Sequence, residues 1–255
     1  MSSAILFQSS VVVAYIVATG LLMVGSRWQR AGVLAITLAT VGCFAHLVIL
    51  IQRWQEFGQL PIVTRYEDMT VDALAIAVIY LLTQWCKPQL RSAGVYVLPL
   101  AAAGLAAALS YNLGTFPLSP ALRSDWLVVH AQLNSVAIGV ATLAAAVALL
   151  PQSKDKSALM GQLLAWGFFL WAAMVASGSY WASLAWGRYW GWDPIENWAL
   201  GTLLAYGFVL HLRLRPTWCG RRRDLLSLIP YAMMLFTTYG LLFVRGSIHG
   251  QYLFQ

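Results

Sequence analysis

Trp181-Ala-Ser-Leu-Ala-Trp186-Gly-Arg-Tyr189-Trp190-Gly-Trp192-Asp193-Pro194-Ile-Glu196-Asn197-Trp198 places five of the chain's 12 tryptophans in 18 residues, between two strongly apolar runs. So many flat aromatic faces with so few charges suit a large planar apolar ligand better than a small polar one. The preceding run is expected to continue as a helix through Trp186 or Trp190, with Gly187 and Gly191 loosening its end. Trp186, Tyr189 and Trp190 are spaced i, i+3, i+4 and are expected to share one helix face. Asp193 then reads as an N-cap, Pro194 as the first helical residue and Glu196 as the third. That pattern is a capping box opening the next helix. The competing reading is an aromatic belt at a membrane interface, with Asp193 and Glu196 as caps only. Density and the Gly-Trp-Asp-Pro turn favour a ligand platform.

Outward from this segment the chain is apolar. Of 255 residues, 60% are hydrophobic and 10% charged, against about a quarter charged in soluble domains. The expected fold is therefore an all-α integral membrane protein, one membrane domain over residues 1–255. Apolar runs of roughly 20 residues cross a hydrocarbon core of about 30 Å. Eight are expected, at about 4–26, 31–51, 69–86, 92–111, 128–150, 161–185, 196–215 and 225–244. The third is the least clear, because Asp72 sits near its start. The first is too long for a cleaved signal peptide and reads as a retained span.

Charge orients these spans. Alternate loops hold Arg27 and Arg30; Lys87 and Arg91; Lys154 and Lys156; and Arg213, Arg215, Arg221, Arg222 and Arg223. These are 11 of the 16 cations, with only Asp155 and Asp224 opposing them. The positive-inside rule assigns them to the cytoplasm, which puts both termini and the Trp-rich segment on the outer face. Two further outer loops are expected, Gln52–Asp68 and Asn112–Trp126. The net charge of +7 is thus an orientation signal and a contact for membrane lipids, with no nucleic-acid partner implied. Cys43, Cys86 and Cys219 form no CxxC and no metal-ligand spacing, which argues against a disulfide framework or a thiolate metal site.

The four histidines are distributed informatively. His130 opens the fifth span and His249 lies in the C-terminal tail, both on the side of the Trp-rich segment. Two imidazoles flanking a flat aromatic pocket suit a bis-histidine haem iron; the alternative is a pair of hydrogen-bonded surface histidines. His211 lies 15 residues after Glu196, roughly 22 Å along the helix. An ionisable residue at that depth is a functional candidate. His46, in the second span, reads either as a ligand or as a hydrogen bond to a neighbouring helix, and interhelical polar contacts of that kind favour the second.

Together these residues resemble the CcsA (ResC-like) family of cytochrome c biogenesis proteins, in the CcmC/CcmF/CcsA haem-handling group. Trp186-Gly-Arg-Tyr189-Trp190-Gly-Trp192-Asp193-Pro194-Ile-Glu196-Asn-Trp198 is similar to its WWD motif. Trp126-Leu-Val-Val-His130 and Gly246-Ser-Ile-His249 resemble its external histidine segments, and Tyr206-Gly-Phe-Val-Leu-His211 its transmembrane histidine. Gly58-Gln-Leu-Pro61 through Glu67 resembles its loop before span three. Ile195 and Asn197 depart from residues frequent in the family.

The resemblance implies a haem-handling subunit of a membrane cytochrome c synthase (haem lyase) of System II type, working with a CcsB/ResB-type membrane partner. Haem b, as substrate, would enter at a site ligated by His211 and a partner histidine. It would pass to an outer site where His130 and His249 hold the iron while Trp186, Tyr189, Trp190, Trp192, Asp193, Glu196 and Trp198 enclose the porphyrin. Thiols of an apocytochrome c Cys-x-x-Cys-His segment would then add to the haem vinyl groups. Expected locations are a bacterial inner membrane or a thylakoid membrane. The alternative in the same group is a CcmC-type delivery module that passes haem on without bond formation. A non-haem transporter would need more polar lining than His46, His211, Asp72 and scattered hydroxyls provide.

Overall fold

The computed structural model describes residues 2–25, 28–111, 113–114 and 118–241, and among them every regular element is helical. The helices are α1 (Ser2–Gly25), α2 (Gln29–Phe57), α3 (Arg65–Cys86), α4 (Gly94–Ala108), α5 (Asp125–Leu149), α6 (Lys154–Trp186), α7 (Pro194–Arg213), α8 (Gly220–Leu225) and α9 (Leu228–Leu235). Short 3₁₀ turns cover Pro88–Ala93 and Pro120–Leu122, and a π-helical turn covers Phe236–Gly240. Six segments are long and apolar enough to cross a membrane: Ser3–Gly25, Gln29–Phe57, Arg65–Cys86, Pro88–Ala108, Asp125–Leu149 and Lys156–Trp186. Their outward faces carry Leu6, Phe44, Phe169 and Leu184, an apolar surface that suits lipid and not water.

The chain forms two compact units, Met1–Thr115 and Phe116–Gln255. In the first, α1 packs on α2 and α4, and α3 packs on α4 and α2. The seams are Val11, Tyr15, Ala18 and Leu22 on α1, and Ala31, Ala35, Ala39 and Gly42 on α2. Small residues let helix backbones approach where lipid supplies no hydrophobic drive. One end of this unit is polar and closed. Arg53 donates from Nε to Glu67 Oε1 at 2.6 Å and from Nη1 to the Leu113 carbonyl at 2.8 Å, both side chains being buried. Its guanidinium also lies over the rings of Phe57 and Tyr66. Glu67 Oε2 accepts from the backbone N–H groups of Val63 and Thr64, completing a capping box on α3.

That pairing corrects the expected outer loop Gln52–Asp68. α2 runs on to Phe57 and α3 starts at Arg65, leaving only residues 58–64 between them. The charges that read as loop are Arg53 and Glu67, neutralising one another inside the unit. Asp72 is likewise buried within a helix of spanning length.

In the second unit α5 packs along α6, α6 along α7, and α9 against α7 and α5. Trp171, fully buried on α6, donates its indole N–H to the Ala199 carbonyl of α7 at 2.9 Å. At the basic end, the buried Asp224 carboxylate accepts from Gln152 at 3.1 Å and Arg213 at 3.2 Å, with Lys156 at 3.6 Å. Lys156 also caps α5 by donating to the Ala148 and Leu150 carbonyls, as cations do at helix C-termini. The expected span 225–244 is described as far as Leu241. A turn at Leu226–Ser227 separates α9 from α8, and α9 runs directly into the π-turn. α7 has spanning length and turns Leu204 and Phe208 outward, with Glu196 and Asn197 near its start and His211 and Arg213 near its end.

Candidate functional site

The site is built at the end of the second unit where α5 begins, α6 ends and α7 begins. α6 stops at Trp186 because Gly187 takes the left-handed conformation (φ 76°) and returns its N–H to the Ser183 carbonyl. This C-cap favours glycine. Trp186, Tyr189 and Trp190 therefore do not share one helix face: the first ends the helix and the other two belong to the loop. The seven-residue loop 187–193 is shaped by its own backbone bonds. Glu196 Oε2 accepts from the N–H of Gly191 at 2.7 Å and of Asp193 at 3.1 Å. Asp193, itself buried, accepts from Ile195 N–H at 2.9 Å and caps α7 at Pro194, so the capping box expected at this position is formed. Trp192 adopts a positive φ of 57°, unusual for a bulky residue, and Asn197 holds its carbonyl at 3.0 Å. Ser179 Oγ on α6 anchors the Tyr189 carbonyl at 2.7 Å.

The loop presents aromatic surface. Tyr189 is 62% and Trp192 69% exposed, large values for such side chains. Trp190 and Trp192 meet edge to face at 6.1 Å. Trp198, at the start of the second turn of α7, is half-exposed and meets Phe236 at 4.6 Å.

His130 stands beside this loop on the second turn of α5. Its Nδ1 lies 2.9 Å from the Met174 carbonyl of α6. A carbonyl only accepts, so Nδ1 carries the hydrogen, and a neutral ring then has its lone pair on Nε2. The ring lies nearly parallel to Trp181 (20° between planes, centroids 6.3 Å apart). Trp181 is buried, donates to the Ala121 carbonyl at 2.9 Å and meets Trp186 at 4.8 Å. Gly178 makes this approach possible: a Cβ there would lie 2.5 Å from His130 Nδ1 and 2.6 Å from Cε1.

A family model described as "Cytochrome C assembly protein" matches residues 4–249. The chain belongs to the cytochrome c assembly protein family. Among its relatives, the cytochrome c biogenesis protein CcsA of Synechococcus sp. (strain CC9311) is 30% identical over 255 residues, covering 79% of this chain and 82% of the relative. That of Synechococcus sp. (strain CC9605) is 28% identical, covering 88% of each. That of Chlamydomonas reinhardtii is 26% identical over 80% of this chain, which spans 64% of the algal protein. In fold, the chain is similar to the cytochrome c haem lyase CcmF, with a TM-score of 0.73 at 16% identity over 98% of this chain and 49% of that one. The chain is thus a CcsA-type membrane protein of cytochrome c biogenesis.

Within this CcsA-type protein, the fold gathers His130 and the segment 186–198 at one end of the second unit, while His249 lies outside the described residues. His211 is far along α7. It is exposed, with Nδ1 donating to the Gly207 carbonyl at 2.8 Å, so its Nε2 is the lone-pair nitrogen of a neutral ring. His46 belongs to the first unit, fully buried, with Nδ1 3.3 Å from the Tyr15 hydroxyl of α1. That is the interhelical contact expected of it.

The sequence places Trp181 in the Trp-rich segment but gives it no role at the site, and Gly178 is a site residue that only the structure reveals. The available signal was the i, i+3 pair Gly178–Trp181 on the helix facing His130. A small residue one turn before a tryptophan makes a recess with an aromatic wall. Trp126 and Tyr180, paired edge to face at 4.7 Å, continue the aromatic surface beside it.

Proposed function

We propose that this protein is the haem-handling subunit of a membrane cytochrome c synthase, holding haem b as substrate at an outer-face site for attachment to apocytochrome c. The observation that carries the reading is the mounting of His130. The ring is fixed by a carbonyl, seated on a glycine and laid against Trp181, at the head of an aromatic loop. A backbone-anchored imidazole presents Nε2 in a fixed direction, the arrangement in which second-shell contacts orient metal ligands. Aromatic faces with few charges fit the porphyrin plane, and an axial histidine is a usual haem ligand.

His249 would supply a second ligand to the iron in this reading. Trp186, Tyr189, Trp190, Trp192 and Trp198 pack on the macrocycle. Asp193 and Glu196 hold the loop in shape and leave the ring to the aromatics. His211, exposed on α7, meets haem together with a histidine of a CcsB/ResB-type partner, on the path towards the outer site. The chain's own contribution to thioether formation is positioning, which lowers a barrier by several kcal/mol. The thiols come from the Cys-x-x-Cys-His substrate. The reading includes eight spans within a single membrane domain, both termini outside, in a bacterial inner membrane or a thylakoid membrane.

The test is the absorption spectrum of the purified chain with its co-expressed partner, wild type against His130→Ala/His249→Ala. A bis-histidine spectrum that the double variant loses and added imidazole restores supports the outer site. A wild type without haem under these conditions overturns it. Supplying a Cys-x-x-Cys-His substrate then separates synthase from delivery: a thioether-linked product supports the first, and transfer of haem without a covalent bond supports a CcmC-type role.

A further inference from the structure

At the opposite end of the first unit from Arg53, a cavity of about 190 Å³ opens between Val33, Ile36 and Thr37 of α2, Gln84 and Trp85 of α3, and Arg91 in the 3₁₀ turn. Its chemistry is one-sided. Gln84 is 2% exposed and its Nε2 has no hydrogen-bond partner among the described residues, nor has the buried Nε of Arg91. Arg91 forms no ion pair among them. Buried donors without acceptors are costly, a charged one most of all. Asp72, the nearest described acid on α3, lies 12 residues before Gln84, about 18 Å along the helix. What the cavity lacks is an oxyanion. α2 makes room for the arginine: a Cβ at Gly32 would lie 3.2 Å from its Nη1.

The surroundings say what carries that oxyanion. Lys87 lies just before the 3₁₀ turn and Arg30 is on the first turn of α2, while Trp28 is exposed beside it. This is the composition of a membrane interface on the basic side. Val33, Trp85 and Leu82 are each more than half exposed, and they run from the cavity along the outward face. They offer acyl chains a wall. Pockets for drug-sized ligands run to about 300–1,000 Å³. A porphyrin is too large for this one, whereas a phosphate fits.

We infer that this cavity binds the phosphate headgroup of an anionic phospholipid, with Arg91 and Gln84 donating to its oxygens and the acyl chains lying along Val33, Leu82 and Trp85. Guanidinium and phosphate form a strong charge-assisted pair, and basic pockets between helices are known lipid headgroup sites.

The test is native mass spectrometry of the full chain, titrated with dioleoyl phosphatidylglycerol, dioleoyl phosphatidylcholine, inorganic phosphate or haemin. Wild type should retain phosphatidylglycerol in preference to phosphatidylcholine. Arg91→Gln should weaken that retention about tenfold or more, as for loss of a charged hydrogen bond, and Arg91→Lys should recover part of it. Thr37→Trp keeps every charge but fills the cavity, and should lose the lipid as well. Equal phosphatidylglycerol retention by wild type, Arg91→Gln and Thr37→Trp overturns the assignment. Displacement of the lipid by inorganic phosphate at matched concentration, or by haemin, overturns it too.

Discussion

Gly178→Ala isolates the mounting of His130 with a single methyl group. In a helix interior, alanine is favoured over glycine by about 1 kcal/mol, so at an open position the substitution stabilises. At Gly178 the added Cβ would sit 2.5 Å from His130 Nδ1 and 2.6 Å from Cε1, where carbon contacts settle near 3.5–4.0 Å. The imidazole must retreat by about 1 Å. That stretches its 2.9 Å bond to Met174 past useful hydrogen-bond length and shifts it on Trp181. The lost bond costs about 0.5–1.5 kcal/mol, comparable to the propensity gain, so the melting temperature should change little. Haem affinity should fall far more, by about 10–100-fold, as for loss of an oriented second-shell partner. The assay is a haem titration followed by absorption, with added imidazole to replace the displaced ligand. Gly161→Ala on the same helix is the control, since its Cβ would meet only Arg213 at 3.7 Å; it should leave affinity unchanged. A Gly178→Ala protein that binds haem as tightly as wild type would refute the reasoning, because the ring's fixed seat would then have no part in ligation.

Two further outcomes follow from the polar contacts. Glu196→Ala removes the acceptor shared by Gly191 and Asp193; limited proteolysis should cut within residues 187–193 faster than in wild type, with Glu196→Gln intermediate. Arg53→Met strands the buried Glu67 carboxylate and should destabilise by about 3–5 kcal/mol, whereas Arg53→Met/Glu67→Gln should recover much of that loss. Thermal melts in one detergent compare these variants. A double variant no more stable than the single one would show that Glu67 matters for the α3 cap and not for the ion pair.

What the sequence by itself determined is local or compositional. Helix lengths follow from apolar runs and the stop at Gly187 from a residue type that tolerates positive φ. The start of α7 follows from Asp193, Pro194 and Glu196, whose interactions lie within five residues. The WWD-like segment and its family resemblance were legible for the same reason. The tertiary structure alone decided which faces meet. In lipid the outward side of a helix is as apolar as the buried side, so the periodicity that betrays a core face in water is weak. The i, i+3 pair Gly178–Trp181 marks a recess in the sequence, but the order of residues does not announce that His130, 48 positions earlier, fills it. Nor does it announce that Trp181 becomes its neighbour. Arg53 and Glu67 misled for a related reason: as isolated charges they read as loop, and only their pairing across two helices makes them affordable in the interior.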